Sequence, residues 1–195
     1  MGRPSVKAER TEEILDAFER CVARYGVEGT SLERIAEESG LRRSLLRYYI
    51  GNRDELVEAL ADRFITKGER LMQETIALLP NENKVEALLE IFFADYEPDD
   101  SMALVAASLI ASSSSYPKVQ RKLRDWYDEF VLKISRVIQS DYPDADAERC
   151  WTIAVGVVGI YFNADSMEPL GLSGLYRKAS IETCRLLLAT LPRSA

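Results

Sequence analysis

The chain has 195 residues, 47% of them hydrophobic and 29% charged, with a net charge of −7. That is enough for one or two domains with a sizeable core, in a composition ordinary for folded proteins. With no histidine, and with Cys21, Cys150 and Cys184 far apart and outside any CxxC pair, histidine-based triads and most transition-metal sites are excluded. A disulfide framework or a zinc site is disfavoured, and buried free thiols are expected. The longest apolar run, Ile153 to Phe162, falls short of the roughly 20 residues of a membrane span. The opening MGRPSVKAERTEE has no secretory pattern, so a cytoplasmic location is expected, with no membrane partner. Neither paired carboxylates nor a glycine-rich phosphate loop stands out. Catalysis is not expected, and no cofactor or metal is implied.

Taken in chain order, the elements read as helices. Ile14, Ala17, Phe18, Cys21, Val22 and Tyr25 recur at helical spacing and form one apolar stripe. Gly26 is placed to end that helix in a left-handed cap. Thr30-Ser31-Leu32-Glu33 has the form of a capping box, in which Thr30 and Glu33 satisfy each other's amides. The short helix that follows turns Leu32, Ile35 and Ala36 inward and stops at Gly40. A third helix spans about Arg42 to Ile50. After Gly51, the sequence Asn52-Arg53-Asp54-Glu55 offers a second capping box for a long helix to about Leu79. Asn83 is placed to cap a helix through Tyr96, and Glu97-Pro98-Asp99-Asp100 interrupts the pattern. Asp99 or Asp100 then caps a segment over 101–115. Pro117 opens a helix to about Ser140, and two more follow at about 146–163 and 173–191. No strand or internal repeat is evident. The expected fold is all-α, with about nine helices.

Charge is unevenly placed. Residues 1–53 hold ten Lys/Arg and nine Asp/Glu in a chain that is acidic overall. Between Leu41 and Arg53 there are four arginines (Arg42, Arg43, Arg47 and Arg53) and no acid. That local asymmetry suits a surface that meets a polyanion. The run Ile35-Ala36-Glu37-Glu38-Ser39-Gly40-Leu41, followed by Leu46 and Tyr49, fits a helix-turn-helix. Ala36 permits a close helix crossing, and Gly40 supplies the positive φ of a tight turn. Leu41, Leu46 and Ile50 are then expected inside, which leaves Arg42, Arg43, Ser44, Arg47 and Tyr48 outside. Such a helix enters the major groove with its N-terminal residues at base edges.

Residues 10–56 resemble the DNA-binding domain of the TetR family of bacterial transcriptional regulators. The resemblance rests on the helix-1 stripe, the glycine, the threonine-serine cap, Ile35-Ala36, Ser39-Gly40-Leu41, and Arg53 followed by Asp54-Glu55-Leu56. It covers about a quarter of the chain, and it implies a helix-turn-helix domain over 1–52 and a ligand-binding and dimerisation domain over 53–195. Carried over by position, Thr30 and Ser31 contact phosphate at a helix N-terminus, and Arg42, Arg43 and Ser44 begin the recognition helix. Arg53 grips phosphate at the start of the next helix. The chain departs from the family's pattern at Arg42, Arg47 and Ile50. Arg47 fits phosphate contact or bidentate reading of guanine, and Leu45 fits inward packing or a thymine methyl. Tyr48 completes the outer face. Gly2-Arg3-Pro4 and Lys7 fit a DNA-contacting arm and a disordered tail equally.

For the remainder, the resemblance implies an apolar pocket for a small-molecule effector. Its expected lining is Phe93, Tyr96, Ser108, Ser112, Trp126, Phe130, Trp151 and Tyr161, although aromatics at helical spacing also build ordinary cores. Apolar stripes on the last two helices imply a homodimer interface at Cys150, Ala154, Val157, Val158, Ile181, Cys184, Leu188 and Leu191. The competing reading is that both stripes complete the core of one subunit. The expected function is a ligand-responsive transcriptional regulator, foremost a repressor that binds a palindromic operator as a homodimer and is released by its effector. An architectural DNA-binding protein without an effector is the alternative. An enzyme using the arginine-rich helix for a phosphorylated substrate is disfavoured by the missing histidine.

Overall fold

The computed structural model describes residues 6–94, 100–167, 170–171 and 173–192. Among them are nine α-helices: α1 (Val6–Gly29), α2 (Leu32–Ser39), α3 (Arg43–Ile50), α4 (Arg53–Leu78), α5 (Lys84–Phe92), α6 (Asp100–Ser112), α7 (Pro117–Asp141), α8 (Ala147–Ser166) and α9 (Ser173–Leu188). A 3-10 turn at Ser113–Ser115 links α6 to α7, and no strand occurs among the described residues. The all-α reading is the observed architecture. No helix of the described residues is long and apolar enough to cross a membrane. The three cysteines are buried and unbonded, and burial pushes the Cys184 thiol up to about 11, leaving it protonated and inert at neutral pH.

The described residues form two compact units. One comprises those of Met1–Gly68 with those of Asp99–Arg124, and the other those of Glu69–Pro98 with those of Asp125–Ala195. Compactness therefore divides the chain inside α4 and α7, and it places α6 with the N-terminal helices rather than following the 52/53 boundary of the helix-turn-helix.

In the first unit α1 packs on α2, α3 and α6. Ile14, Leu15, Ala17, Phe18, Cys21 and Val22 are at most 5% exposed, so the stripe read from the sequence is the buried face of α1. Its expected last member, Tyr25, is instead 49% exposed and carries the Arg34 guanidinium over its ring at 4.3 Å. The cause is Gly26. Its φ of 72 lies in the positive region open to glycine while its ψ of 169 is not helical, so α1 kinks there and resumes to Gly29. Val27 is thereby turned into the core, and its freed N–H donates to Ser108 Oγ at 2.6 Å.

Local capping decides where the next helices begin. At α2 the cap is Ser31, whose Oγ accepts from Arg34 N–H at 3.3 Å, and not Thr30. Thr30 is 1% exposed and donates its hydroxyl to Gly26 O at 2.7 Å. Gly40 closes α2 with φ 68 and ψ 12, a left-handed conformation that costs glycine little. At α4 the capping box forms as expected: Glu55 Oε2 accepts from Asn52 N–H at 2.8 Å, and Asn52 Oδ1 accepts from Glu55 N–H at 3.0 Å. Gly51, at φ 86 and ψ −134, precedes it, and a Cβ there would lie 1.8 Å from Glu55 Oε2. Gly51→Ala would strain the backbone and push Glu55 out of the box together. We expect it to destabilise the protein by about 2 kcal/mol, read from chemical denaturation; an unchanged midpoint would show that the box contributes nothing.

In the second unit, α8 packs along α9. Arg149, in the first turn of α8, donates to Thr190 O beyond the end of α9 at 2.6 Å, so the two run antiparallel. Arg185 of α9 pairs with Glu86 and Glu90 of α5. Asp146 caps α8 through Arg149 N–H, as its position suggests. Asn83 does not cap α5: it sits at φ 55 without a side-chain cap bond, and Val85 N–H is satisfied by Asp141 Oδ2 at 2.8 Å. α5 stops at Phe92, whereas the expected end at Tyr96 and the break at Glu97–Asp99 lie outside the described residues.

Candidate nucleic-acid interface

α3 is eight residues long, and its orientation is set by what it buries. Leu46 is 2% exposed beside the fully buried Ile35 of α2, while Leu41 and Ile50 are half-buried. That anchoring leaves Arg42, Arg43, Ser44, Leu45, Arg47 and Tyr48 exposed, with Tyr48 at 74%. Leu45, at 38% exposed, lies on the outside. Arg42 takes the extended N-cap position, φ −73 and ψ 143, without a side-chain cap bond. Ser31 is exposed at the N-terminus of α2. Six neighbouring positions expected to meet DNA, and Ser31, are thus exposed.

One acid shares that surface. Glu33, in the first turn of α2, pairs with Arg43 Nη1 through Oε1 at 2.5 Å. Hydrogen bonds from its own backbone amide and from the Ser31 hydroxyl hold its carboxyl below the usual range, and Arg43 and Arg47 act in the same direction. The sequence suggested Glu33 as the second half of a capping box with Thr30, and the pairing with Arg43 was missed. The opposite-charge types at positions 33 and 43 are the signal that could have found it.

Two expected phosphate ligands are placed differently. Thr30 is in the core with its hydroxyl used, and Ser31 alone of the pair faces outward. Arg53 is half-buried and turns inward. Its guanidinium donates to Val27 O, to Thr30 O at 2.7 Å and to Tyr116 Oη at 3.1 Å. It thereby ties the kinked end of α1 and the loop before α2 to the start of α4. Lys7 is exposed on α1, and Gly2 to Pro4 lie outside the described residues.

The residues expected to line an effector pocket separate into groups. Phe93, Trp126, Phe130 and Tyr161 do come together, joined by Phe92, Tyr127 and Phe162. Phe92 stacks on Tyr161 at 4.4 Å between ring centroids, Trp126 lies 5.9 Å from Phe130, and Phe93 meets Tyr161 edge-on at 6.2 Å. Ser108 and Ser112 belong to the first unit and have structural partners there: Ser108 Oγ accepts from Val27 N–H, and Ser112 donates to Ser108 O at 2.9 Å. Trp151 is 47% exposed on α8 and takes no part in the ring contacts just described. Tyr96 lies outside the described residues. Phe92, Tyr127 and Phe162 are not among the residues expected to line the pocket, yet their rings belong to this group.

The expected dimer residues need correction. Cys150, Ala154, Val158 and Cys184 are fully buried within one chain, Val157 is 1% exposed, and Leu188 and Leu191 are 5% exposed. Ile181 is half-buried. These residues form the seam by which α8 and α9 join the core of their own subunit. The outward large apolar residues are Trp151 and Val155 on α8, at 47% and 36%, and Leu175, Tyr176 and Leu186 on α9, at 79%, 50% and 71%. Both helices are apolar on more than one face, and so the stripe alone did not reveal which face turns in.

Comparison with known proteins agrees with this geometry. Residues 14–60 match the family described as bacterial regulatory proteins, tetR family. The chain is 27% identical over 101 residues to the HTH-type transcriptional regulator PksA of Bacillus subtilis (strain 168), a match covering 44% of this chain and 49% of that protein, about half the relative's length. In fold it is similar to a TetR transcription regulator from Haloarcula marismortui ATCC 43049, with a TM-score of 0.77 and 16% identity over 94% of this chain and 98% of that one. It is also similar to a protein from Saccharomonospora viridis solved in complex with choline, with a TM-score of 0.80 and 15% identity over 95% and 100% of the two chains. The family match falls on the helices that present the arginine-rich face, and the shared fold extends through the helices beyond it. Residues 14–60 are thus a DNA-binding domain of the TetR family of bacterial regulatory proteins, and the chain as a whole shares the fold of solved TetR-family regulators.

Proposed function

We propose that this protein is a repressor that binds a palindromic operator as a homodimer and is released by a small organic effector. The observation that carries the reading is the outer face of α3, where three arginines, a serine and a tyrosine stand exposed around a helix anchored by Leu46. Arg42, Arg43, Ser44, Leu45, Arg47 and Tyr48 meet the major groove, and Ser31 meets phosphate at the α2 N-terminus. Two such helices, held by a dimer, address half-sites about one helical turn apart.

The effector is assigned to the second unit, beside the aromatic group of Phe92, Phe93, Trp126, Phe130, Tyr161 and Phe162. The choline held by a protein of similar fold supports a small organic ligand. Release requires that the effector bind more tightly to the state with mismatched half-site spacing. The domain reading is retained in functional form, with DNA recognition in 1–52 and sensing and dimerisation in 53–195.

Arg43→Ala tests the groove assignment. Operator affinity is expected to fall by roughly tenfold or more, and the plot of log affinity against log salt should flatten if Arg43 also neutralises phosphate. Fluorescence anisotropy across a salt series reads both. Equal affinity of mutant and wild type at every salt concentration would contradict the placement of α3.

A further inference from the structure

An acid on a surface that meets DNA opposes the approach to a polyanion. Glu33 is such an acid, and stability does not account for it. Its pair with Arg43 has side chains 53% and 54% exposed, and exposed ion pairs contribute little to folding. Among the described residues Arg43 is the arginine of the α3 outer face that pairs with a carboxylate; Arg42 and Arg47 do not. Glu33 lies two residues after the Ser31 cap, in the first turn of α2. From there its carboxylate reaches across to the first residue of α3 at 2.5 Å.

A guanidinium has five N–H donors in a rigid fork, so one edge can hold a carboxylate while another addresses a base. An unrestrained arginine at a groove edge settles on the nearest phosphate, which positions a protein without reading sequence. Arginine held in the bidentate pose on guanine O6 and N7 reads sequence. From this geometry we infer that Glu33 is a positioning residue for base recognition: it holds the Arg43 guanidinium off the phosphates and directs it to a guanine edge in the major groove. The inference rests on the DNA-binding reading above and deepens it. It names guanine as the base class read at the position facing Arg43, and it makes α2 a contributor to specificity rather than a phosphate anchor alone.

The test is selection of bound duplexes from a randomised pool by the full-length wild-type protein, Glu33→Gln, Arg43→Ala and the double variant. Binding of each selected sequence and of random duplex is then measured by anisotropy. Wild type is expected to select a motif with a guanine position that Arg43→Ala flattens. Glu33→Gln is expected to flatten the same position, with roughly tenfold loss of discrimination there, while random duplex is bound more tightly. The double variant should lose no more at that position than Arg43→Ala alone. Unchanged thermal midpoints separate this from a merely structural role, which would weaken all positions alike. If Glu33→Gln keeps the guanine preference intact, or weakens every position equally, the inference is overturned while the DNA-binding reading stands. If the wild type selects no motif from the pool, sequence-specific recognition and the inference both fall.

Discussion

Replacing Arg53 by methionine is expected to destabilise the protein by about 3–4 kcal/mol, more than loss of a single surface contact would. The side chain is half-buried and donates to two carbonyls, Val27 O and Thr30 O, and to the Tyr116 hydroxyl. Methionine fills part of the volume, removes the donor of Thr30 O and of the Tyr116 hydroxyl, and leaves Val27 O with the Thr30 N–H alone, in partly buried surroundings where an unmet polar group is costly. The end of α1 makes the requirement, because Val27 lies in its last turn and Thr30 just beyond it, where carbonyls have no partner in the following turn. The thermal midpoint, followed by circular dichroism, should fall on the order of 10 °C. An unchanged midpoint with weakened DNA binding would return Arg53 to the phosphate role that its position in the sequence suggested.

Introducing glutamate at Trp151 is expected to split the proposed dimer, and with it the proposed high-affinity operator binding. Trp151 and Val155 are successive outward apolar positions of α8, and Leu186 is an outward apolar position on α9. A half-exposed tryptophan is the kind of residue that dominates association energy. A carboxylate there would be buried without a partner in the dimer but solvated in the monomer. Sedimentation should show wild type as dimer and Trp151→Glu as monomer at micromolar concentration. Operator affinity should drop about 10²–10⁴-fold, because each half-site then binds without the effective concentration supplied by the other. A variant that remains dimeric would move the interface to another face.

The parts of the fold legible in the sequence are those fixed by neighbours along the chain. Gly40, the Asn52–Glu55 box, Pro117 and Asp146 each mark a helix boundary through chemistry confined to four or five residues. The outer face of α3 was legible for the same reason, since Leu46 determines the orientation of an eight-residue helix. Features that depend on distant partners were not. Arg53 finds acceptors 23, 26 and 63 residues away, and Val85 takes its cap from Asp141, 56 residues on. Ser108 looked like a ligand anchor because nothing local shows that Val27, 81 residues away, needs an acceptor. The two sides of α8 posed a different difficulty. Ala154 and Val158 alternate with Trp151 and Val155 around a helix that is apolar on both faces, so periodicity cannot say which side belongs to the subunit's own core.

We propose that the outer face of α3 reads DNA as part of a dimer. Fluorescence anisotropy of the wild-type protein, titrated with salt, against the duplex upstream of its own gene and against random duplex tests it most directly. Tight, salt-sensitive binding that prefers the upstream duplex, at two subunits per site, is the predicted result. Absence of binding to either duplex at low salt would contradict it.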